Sequence, residues 1–188
     1  MIYIKTTKQV LAESMIQLLE MGQDLERIGV EDIVKNCQLS RRTFYNHFTD
    51  KKGLIGWIFE HEDQIFENDP WEEQIDFGKV LLNQLNLIKD HSDFYLKVLT
   101  VQEGKILFYN EIRRRLMLWL GYDEDESLRT RFFIDFFSHG YTEAVVVWTQ
   151  SEAPKSPYVF MQSLRECMPD DVFKPDSVFK RVQKRKID

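Results

Sequence analysis

Ten residues near the start of the chain, LSRRTFYNHF (39–48), concentrate side chains that can bind a polar partner. A guanidinium such as that of Arg41 or Arg42 can donate two hydrogen bonds to guanine, and the amide of Asn46 can pair in the same way with adenine. Thr43 can contact a phosphate or a thymine methyl group. These side chains suit contacts with the bases and phosphates of a nucleic acid. They also suit a short helix that packs in a protein core and exposes its charges to water. The elements that position these side chains decide between the two interpretations.

Charge is unevenly distributed along the chain. The 188 residues carry a formal net charge of -6, and the pI of about 5.3 argues against a surface that is basic throughout. Between Ile33 and Gly56, however, five Lys or Arg residues stand against Asp50 alone, a local charge of +4 that leaves -10 on the remainder. We therefore expect a small basic face on an acidic body.

The elements around this face are typical of a helix-turn-helix. Apolar residues from Val30 to Cys37 recur at three- and four-residue spacing, which predicts a short helix with one buried stripe. Residues 38–40 are too few for anything but a tight turn, and Ser40 is a good N-cap for a helix through His47. The second helix of such a motif can enter the DNA major groove.

This arrangement divides the side chains by role. Leu39, Phe44 and Phe48 are predicted to face inward as anchors. Four outward side chains are candidates for base contacts: Arg41, Arg42, Thr43 and Asn46. Others are placed to hold phosphates: Tyr45, His47, Lys51 and Lys52.

The segment GVEDIVKNCQLSRRTFYNHFTDKKGLIGWIF (29–59) resembles the N-terminal DNA-binding domain of TetR/AcrR-type regulators. The resemblance covers about residues 6–65. The residues that carry it are Ser40, Thr43, Tyr45, His47, Phe48, Lys51 and Leu54. It implies that Arg41, Arg42 and Thr43 read bases, while Tyr45, His47 and Lys51 hold the DNA backbone.

Two positions depart from the family pattern. The family usually has Gly in the turn, where a left-handed backbone is wanted, and Gln38 at that position would cost roughly 1 kcal/mol if the conformation is kept. Gly29 stands where a Thr usually opens the preceding helix, so one expected phosphate contact is missing. Weak or conditional DNA binding is therefore an open alternative.

The whole pattern predicts an all-α chain in two parts. An N-terminal three-helix helix-turn-helix domain covers 1–50 and continues into a linking helix over 51–66. A C-terminal helical bundle for ligand binding and dimerisation follows over 67–169, and 170–188 form a basic tail. The predicted helices lie at about 6–21, 30–37, 40–47, 51–65, 72–89, 92–102, 105–120, 124–151 and 156–168.

The predicted helix 124–151 is apolar around most of its circumference, with a clear polar strip only at Arg131, Asp135, Ser138 and Thr142. Such a helix must be covered on both sides. A second copy of the chain, with helix 156–168, covers one side most economically, although burial within one monomer is the alternative. The candidate dimer residues are Phe132, Phe136, Val146, Val147, Phe160 and Leu164.

Aromatic residues are dense in the second part and can line an effector cavity between helices, or can simply be core. The candidate pocket residues are Phe94, Tyr95, Phe108, Phe133, Phe137 and Tyr141. HSDFYLKVL and SPYVF are similar, more weakly, to the subgroup that includes activators of dihydroxyacetone-kinase operons.

Other functional classes find little support in the residues. No HExxH, P-loop, GxSxG or GxGxxG motif is present, so we expect no enzyme, no cofactor and no metal site. The acidic run near His61 is interpreted as a solvated helix face rather than a cation site. The lack of a signal peptide or a membrane-spanning stretch, with two distant cysteines, favours a cytoplasmic protein without a membrane partner.

The sequence therefore predicts a TetR-like regulator that binds a palindromic operator in double-stranded DNA as a homodimer. An unknown small-molecule effector in the C-terminal domain would control it. The alternative is a coactivator that acts through a partner regulator, with weak or no DNA binding of its own.

Overall fold

A computed structural model describes residues 5–65, 77–120, 128–151 and 156–167. Within those ranges the chain is all-α, as predicted, with ten helices and no strand. The helices are α1 (Thr7–Glu20), α2 (Val30–Asn36), α3 (Arg41–Tyr45), α4 (Lys51–Glu60), α5 (Glu62–Ile65), α6 (Phe77–Asp90), α7 (Ser92–Leu99), α8 (Gln102–Leu120), α9 (Leu128–Thr149) and α10 (Pro157–Cys167). A search of this described part found no helix long and apolar enough to cross a bilayer.

The prediction of one continuous helix over 51–65 was wrong at His61. This residue is the C-cap of α4, with φ -117° and ψ 27°, and α5 resumes at Glu62. The His61 ring stacks on Trp57 with centroids 4.3 Å apart, and its Nδ1 lies 3.0 Å from the Trp57 carbonyl oxygen. Both contacts lie at the junction between α4 and α5.

The described helices form two units. The first contains residues 5–65 and 91–108, and the second contains 77–90, 109–120, 128–151 and 156–167. The first unit thus includes α7 and the start of α8, which the sequence had assigned to the C-terminal part.

In the first unit, buried polar contacts join α1 to α2. Ser14 Oγ donates to the Ile33 carbonyl at 2.7 Å, and Asn36 Nδ2 donates to Ser14 Oγ at 3.1 Å. Where α7 meets α8, a Cβ on Gly104 would lie 2.0 Å from the Val98 carbonyl oxygen, so only glycine fits there.

In the second unit, α10 packs against α6, and charged side chains connect α6, α8 and α9. Arg115 Nε donates to the buried Glu111 carboxylate at 2.6 Å, and Arg115 Nη1 reaches Gln84 Oε1 at 3.3 Å. Arg113 Nε donates to Asp135 at 2.7 Å. The buried pair of Arg115 and Glu111 lies within α8, and such a pair adds little net stability.

Helix α9 turns part of its polar side inward. Ser138 and Thr142, from the strip that the sequence marked as polar, are buried. An apolar row on the same helix is exposed instead, which we call the α9 stripe: Leu128, Phe132, Phe136, Gly140 and Val147. The helix thus buries one apolar face together with two polar residues, and leaves a second apolar row in water.

Candidate nucleic-acid interface

The turn between α2 and α3 fixes the direction in which α3 begins. At the end of α2, the Leu39 amide donates to the Val34 carbonyl at 2.8 Å and the Gln38 amide donates to the Lys35 carbonyl at 3.3 Å. These two bonds form a Schellman motif, which requires a left-handed residue at Gln38. Gln38 has φ 57°, so it keeps the left-handed conformation that the sequence left open at this position. Helix α1 ends in the same motif, but with Gly22 in the left-handed position.

Ser40 begins α3 as predicted. Its Oγ accepts from the Thr43 amide at 3.0 Å and lies 2.8 Å from the Thr43 hydroxyl. Phe44 and Phe48 are buried as anchors, and Leu39 is half-buried. This local geometry leaves five side chains exposed, which we call the α3 face: Arg41, Arg42, Tyr45, Asn46 and His47.

Thr43 differs from the other candidate base readers. It is half-buried, and its hydroxyl already pairs with Ser40. A contact with DNA would therefore use its methyl group or follow a hydroxyl rotation.

Lys51 points into the protein. Its ammonium donates to the carbonyls of Leu25 and Ile28 at 2.5 and 2.8 Å. Burial lowers the pKa of Lys51, against the opposing charges of Glu103 and Glu26. The side chain thus joins the α1–α2 loop to the start of α4, and its predicted phosphate contact stays a prediction.

Two carboxylates that the sequence interpretation missed lie beside the basic residues. Glu31 Oε2 is 3.7 Å from Arg41 Nη1, and Glu103 bonds to the ammonium of Lys52. The hydrogen bond and charge of Glu103 raise the pKa of Lys52. Glu31 lies just outside the basic window, so a wider window would have found it, whereas nothing local points to Glu103.

Gly29 is the N-cap of α2, and its extended backbone suits any residue. The Gly29 amide donates to the Asp32 carboxylate at 2.8 Å. A Cβ at this position would meet only ordinary contacts. A Cβ therefore has space at this position, and the Thr hydroxyl of the family pattern is missing only because the residue is Gly.

The candidate pocket residues fall into two groups. Phe94, Tyr95 and Phe108 are fully buried in the first unit, where they pack with Phe59. Phe133, Phe137 and Tyr141 stack along α9 in the second unit, with successive centroids 5.6 and 5.5 Å apart. The six residues therefore do not form one cluster within either unit.

The candidate dimer residues also differ in their environment. Phe132, Phe136 and Val147 are 68%, 65% and 68% exposed on the α9 stripe, whereas Val146 is 2% exposed in the core. On α10, Phe160 is half-buried against Trp148 and Tyr141, and Leu164 is half-buried.

The acidic run near His61 is only partly a solvated face. Glu62 is buried and accepts a hydrogen bond from the Tyr95 hydroxyl. Among the residues with described side chains, no three His, Cys, Asp or Glu groups gather as metal ligands would. Residues 66–76 and the basic tail at 170–188 lie outside the described part.

Known proteins share both the motif and the fold. The family model for bacterial regulatory proteins of the tetR family matches residues 22–56. The chain is 27% identical over 98 residues to the HTH-type dhaKLM operon transcriptional activator DhaS of Lactococcus lactis subsp. lactis (strain IL1403). That match covers 52% of this chain and 51% of the relative, so it spans about half the length of each.

Solved structures extend the likeness across most of the chain. A dihydroxyacetone kinase operon activator DhaS superposes with a TM-score of 0.60 at 20% identity, over 85% of this chain and 93% of its own. A TetR transcriptional regulator from Streptococcus agalactiae 2603V gives 0.60 at 18%, over 86% and 92%. At these identities the likeness concerns the fold. Residues 22–56 thus match the helix-turn-helix of the tetR family, and the chain is similar in fold to transcriptional regulators such as the DhaS activator.

Proposed function

We propose that the chain binds an operator in double-stranded DNA through the α3 face. The observation that carries this proposal is the exposure of Arg41, Arg42 and Asn46 on a short helix whose orientation is fixed on both sides. The Gln38 turn and the Ser40 cap fix the start of α3, and the buried Phe44 and Phe48 anchor it in the core. Arg and Asn are the side chains with the best matched contacts to guanine and adenine edges.

The proposed regulator is a homodimer joined through the α9 stripe. Exposed Phe and Val side chains in a row, on a helix that buries its Ser and Thr, are stabilised by a second apolar surface. In a two-fold contact the same patch occurs on both sides, so an apolar stripe meets its own match. Gly140 adds room for close approach, since nothing in the described chain lies within 4 Å of a Cβ placed there.

Control by a small-molecule effector in the second unit completes the proposal. The aromatic residues Phe133, Phe137 and Tyr141 stack along α9, next to the buried Thr142. The Thr142 hydroxyl has no hydrogen-bond partner among the described residues. Leaving a buried hydroxyl unpaired costs on the order of 1–3 kcal/mol, so a ligand that accepts or donates a hydrogen bond there would be favoured.

DNA binding is tested with duplexes from the region upstream of the chain's own gene. Binding is expected to weaken steeply between about 50 and 200 mM salt, because phosphate contacts release counterions. Arg42→Ala is expected to cost about 1–3 kcal/mol and to relax sequence preference at one base pair. Lys89→Ala, an exposed lysine of the second unit, removes the same charge and is the matched control. Absence of binding at low salt without a partner would contradict the proposal.

One observation favours the coactivator alternative. Lys51 is engaged with carbonyls, and Arg41 and Lys52 each face a carboxylate. A chain whose basic side chains are engaged in this way can depend on a partner regulator to bind DNA. Binding that appears only when such a partner is added would establish this second function.

A further inference from the structure

Three basic residues of α3 and α4 are engaged by the protein itself, two of them by carboxylates. Arg41 and Lys52 face Glu31 and Glu103, and Lys51 donates to backbone carbonyls. Of the five basic residues between Ile33 and Gly56, only Lys35 and Arg42 have no partner in the described parts of the chain. The local charge of +4 that the sequence indicates is therefore not the charge that DNA would meet.

The acidic residues around this segment divide into two kinds. Asp32 and Asp50 cap helices, since they accept from the amides of Gly29 and Gly53 at 2.8 Å each. Glu31 and Glu103 contact a cationic side chain, and neither accepts a backbone hydrogen bond among the described residues. Both lie in the first turns of α2 and α8, where a carboxylate also favours the helix end. The contact with a cationic side chain is what distinguishes them from the two capping residues.

Both pairs are open to water and exchangeable. The side chains of Arg41 and Glu31 are 63% and 69% exposed, and those of Lys52 and Glu103 are 57% and 44% exposed. Exposed ion pairs contribute little to stability, so a phosphate can displace the carboxylate. The displaced carboxylate stays within a few ångströms and repels that phosphate, which lowers the gain from each contact.

We infer that Glu31 and Glu103 set the DNA affinity of this chain, as internal competitors for the DNA groups, base edge or phosphate, that Arg41 and Lys52 would otherwise bind. The inference rests on the proposed DNA binding. It identifies two residues of α2 and α8 as determinants of how strongly the α3 face and the start of α4 bind a polyanion. DNA binding then replaces a carboxylate of the protein by an acceptor group of the DNA at two cations.

The test measures fluorescence anisotropy of the full-length protein with a random-sequence duplex and with the upstream duplex. Glu31→Gln and Glu103→Gln keep the size of the side chain and remove its charge. Each is expected to raise affinity for both duplexes about threefold to tenfold at about 50 mM salt. The slope of log K against log salt should also steepen, by at most about one unit per variant.

Glu60→Gln is the matched control because it makes the same change in net charge. Glu60 is exposed on α4, nine residues beyond Lys51 and thus about 13 Å along the helix. This distance exceeds the Debye length of about 10 Å at 0.1 M salt, so its effect should be small. Circular dichroism and thermal unfolding verify that the variants keep the fold, and the double variant should combine the two gains.

The outcomes separate this inference from the proposed function. If the natural chain binds but neither variant exceeds Glu60→Gln, the inference is overturned and DNA binding stands. If the natural chain fails to bind and the double variant binds, the carboxylates are competitors and the natural chain needs a partner. If no variant binds any duplex at about 50 mM salt, both are overturned.

Discussion

At the scale of single residues, Gln38 carries the clearest local strain. Among the described non-glycine residues it alone has a positive φ. Gln38→Gly is expected to raise the free energy of unfolding by about 1 kcal/mol, because a left-handed backbone is costly for a residue with a Cβ. Urea denaturation measures the change. Gln38→Ala keeps the Cβ and should stay near the natural chain, so equal effects of Gly and Ala would show that the turn is not strained.

Some contacts of single residues could be predicted from the sequence and others could not, as Lys51 and Lys52 show. A tight turn over 38–40 was predictable from its length and from the Ser40 cap, whereas the left-handed backbone of Gln38 was not. Lys51 and Lys52 looked equivalent, yet one ammonium reaches inward carbonyls and the other meets Glu103, 51 residues away. Such a distinction depends on tertiary packing, which a local pattern does not contain.

At the scale of elements, Lys51 holds α4 to the loop between α1 and α2. Lys51→Met removes the donor to two carbonyls and is expected to cost about 1–3 kcal/mol of unfolding free energy. Lys52→Met is the matched control, with a much smaller effect expected because its partner is an exposed carboxylate. Chemical denaturation compares the two. Equal losses would contradict the structural role of Lys51.

The positions of the helices in the sequence were mostly predictable, but the face that each helix buries was not. Caps and periodicity located α1, α2 and α3 to within a residue or two. No Gly or Pro in the sequence marks the break at His61. For α9, periodicity found apolar residues on nearly every side, but only packing shows that Val146 is buried while Val147 is exposed. Which face a helix buries depends on its neighbours.

At the scale of the whole molecule, the α9 stripe predicts a dimer. Light scattering at micromolar concentration should give about 45 kDa, twice the 22.6 kDa of one chain. Phe136→Lys is expected to give the monomer, because it places two like charges at a two-fold contact. Phe136 is 65% exposed, so the monomer fold should persist in circular dichroism.

Ile106→Lys is the control for this change. Ile106 is 49% exposed on α8 in the first unit, so the same substitution there should leave the dimer intact. Loss of the dimer should also weaken binding to a two-half-site duplex much more than binding to a single half-site. Two recognition helices can engage half-sites about 34 Å apart only while the protomers are joined. A natural chain that remains monomeric throughout this concentration range would remove the basis for a palindromic operator, since one α3 face would then act alone.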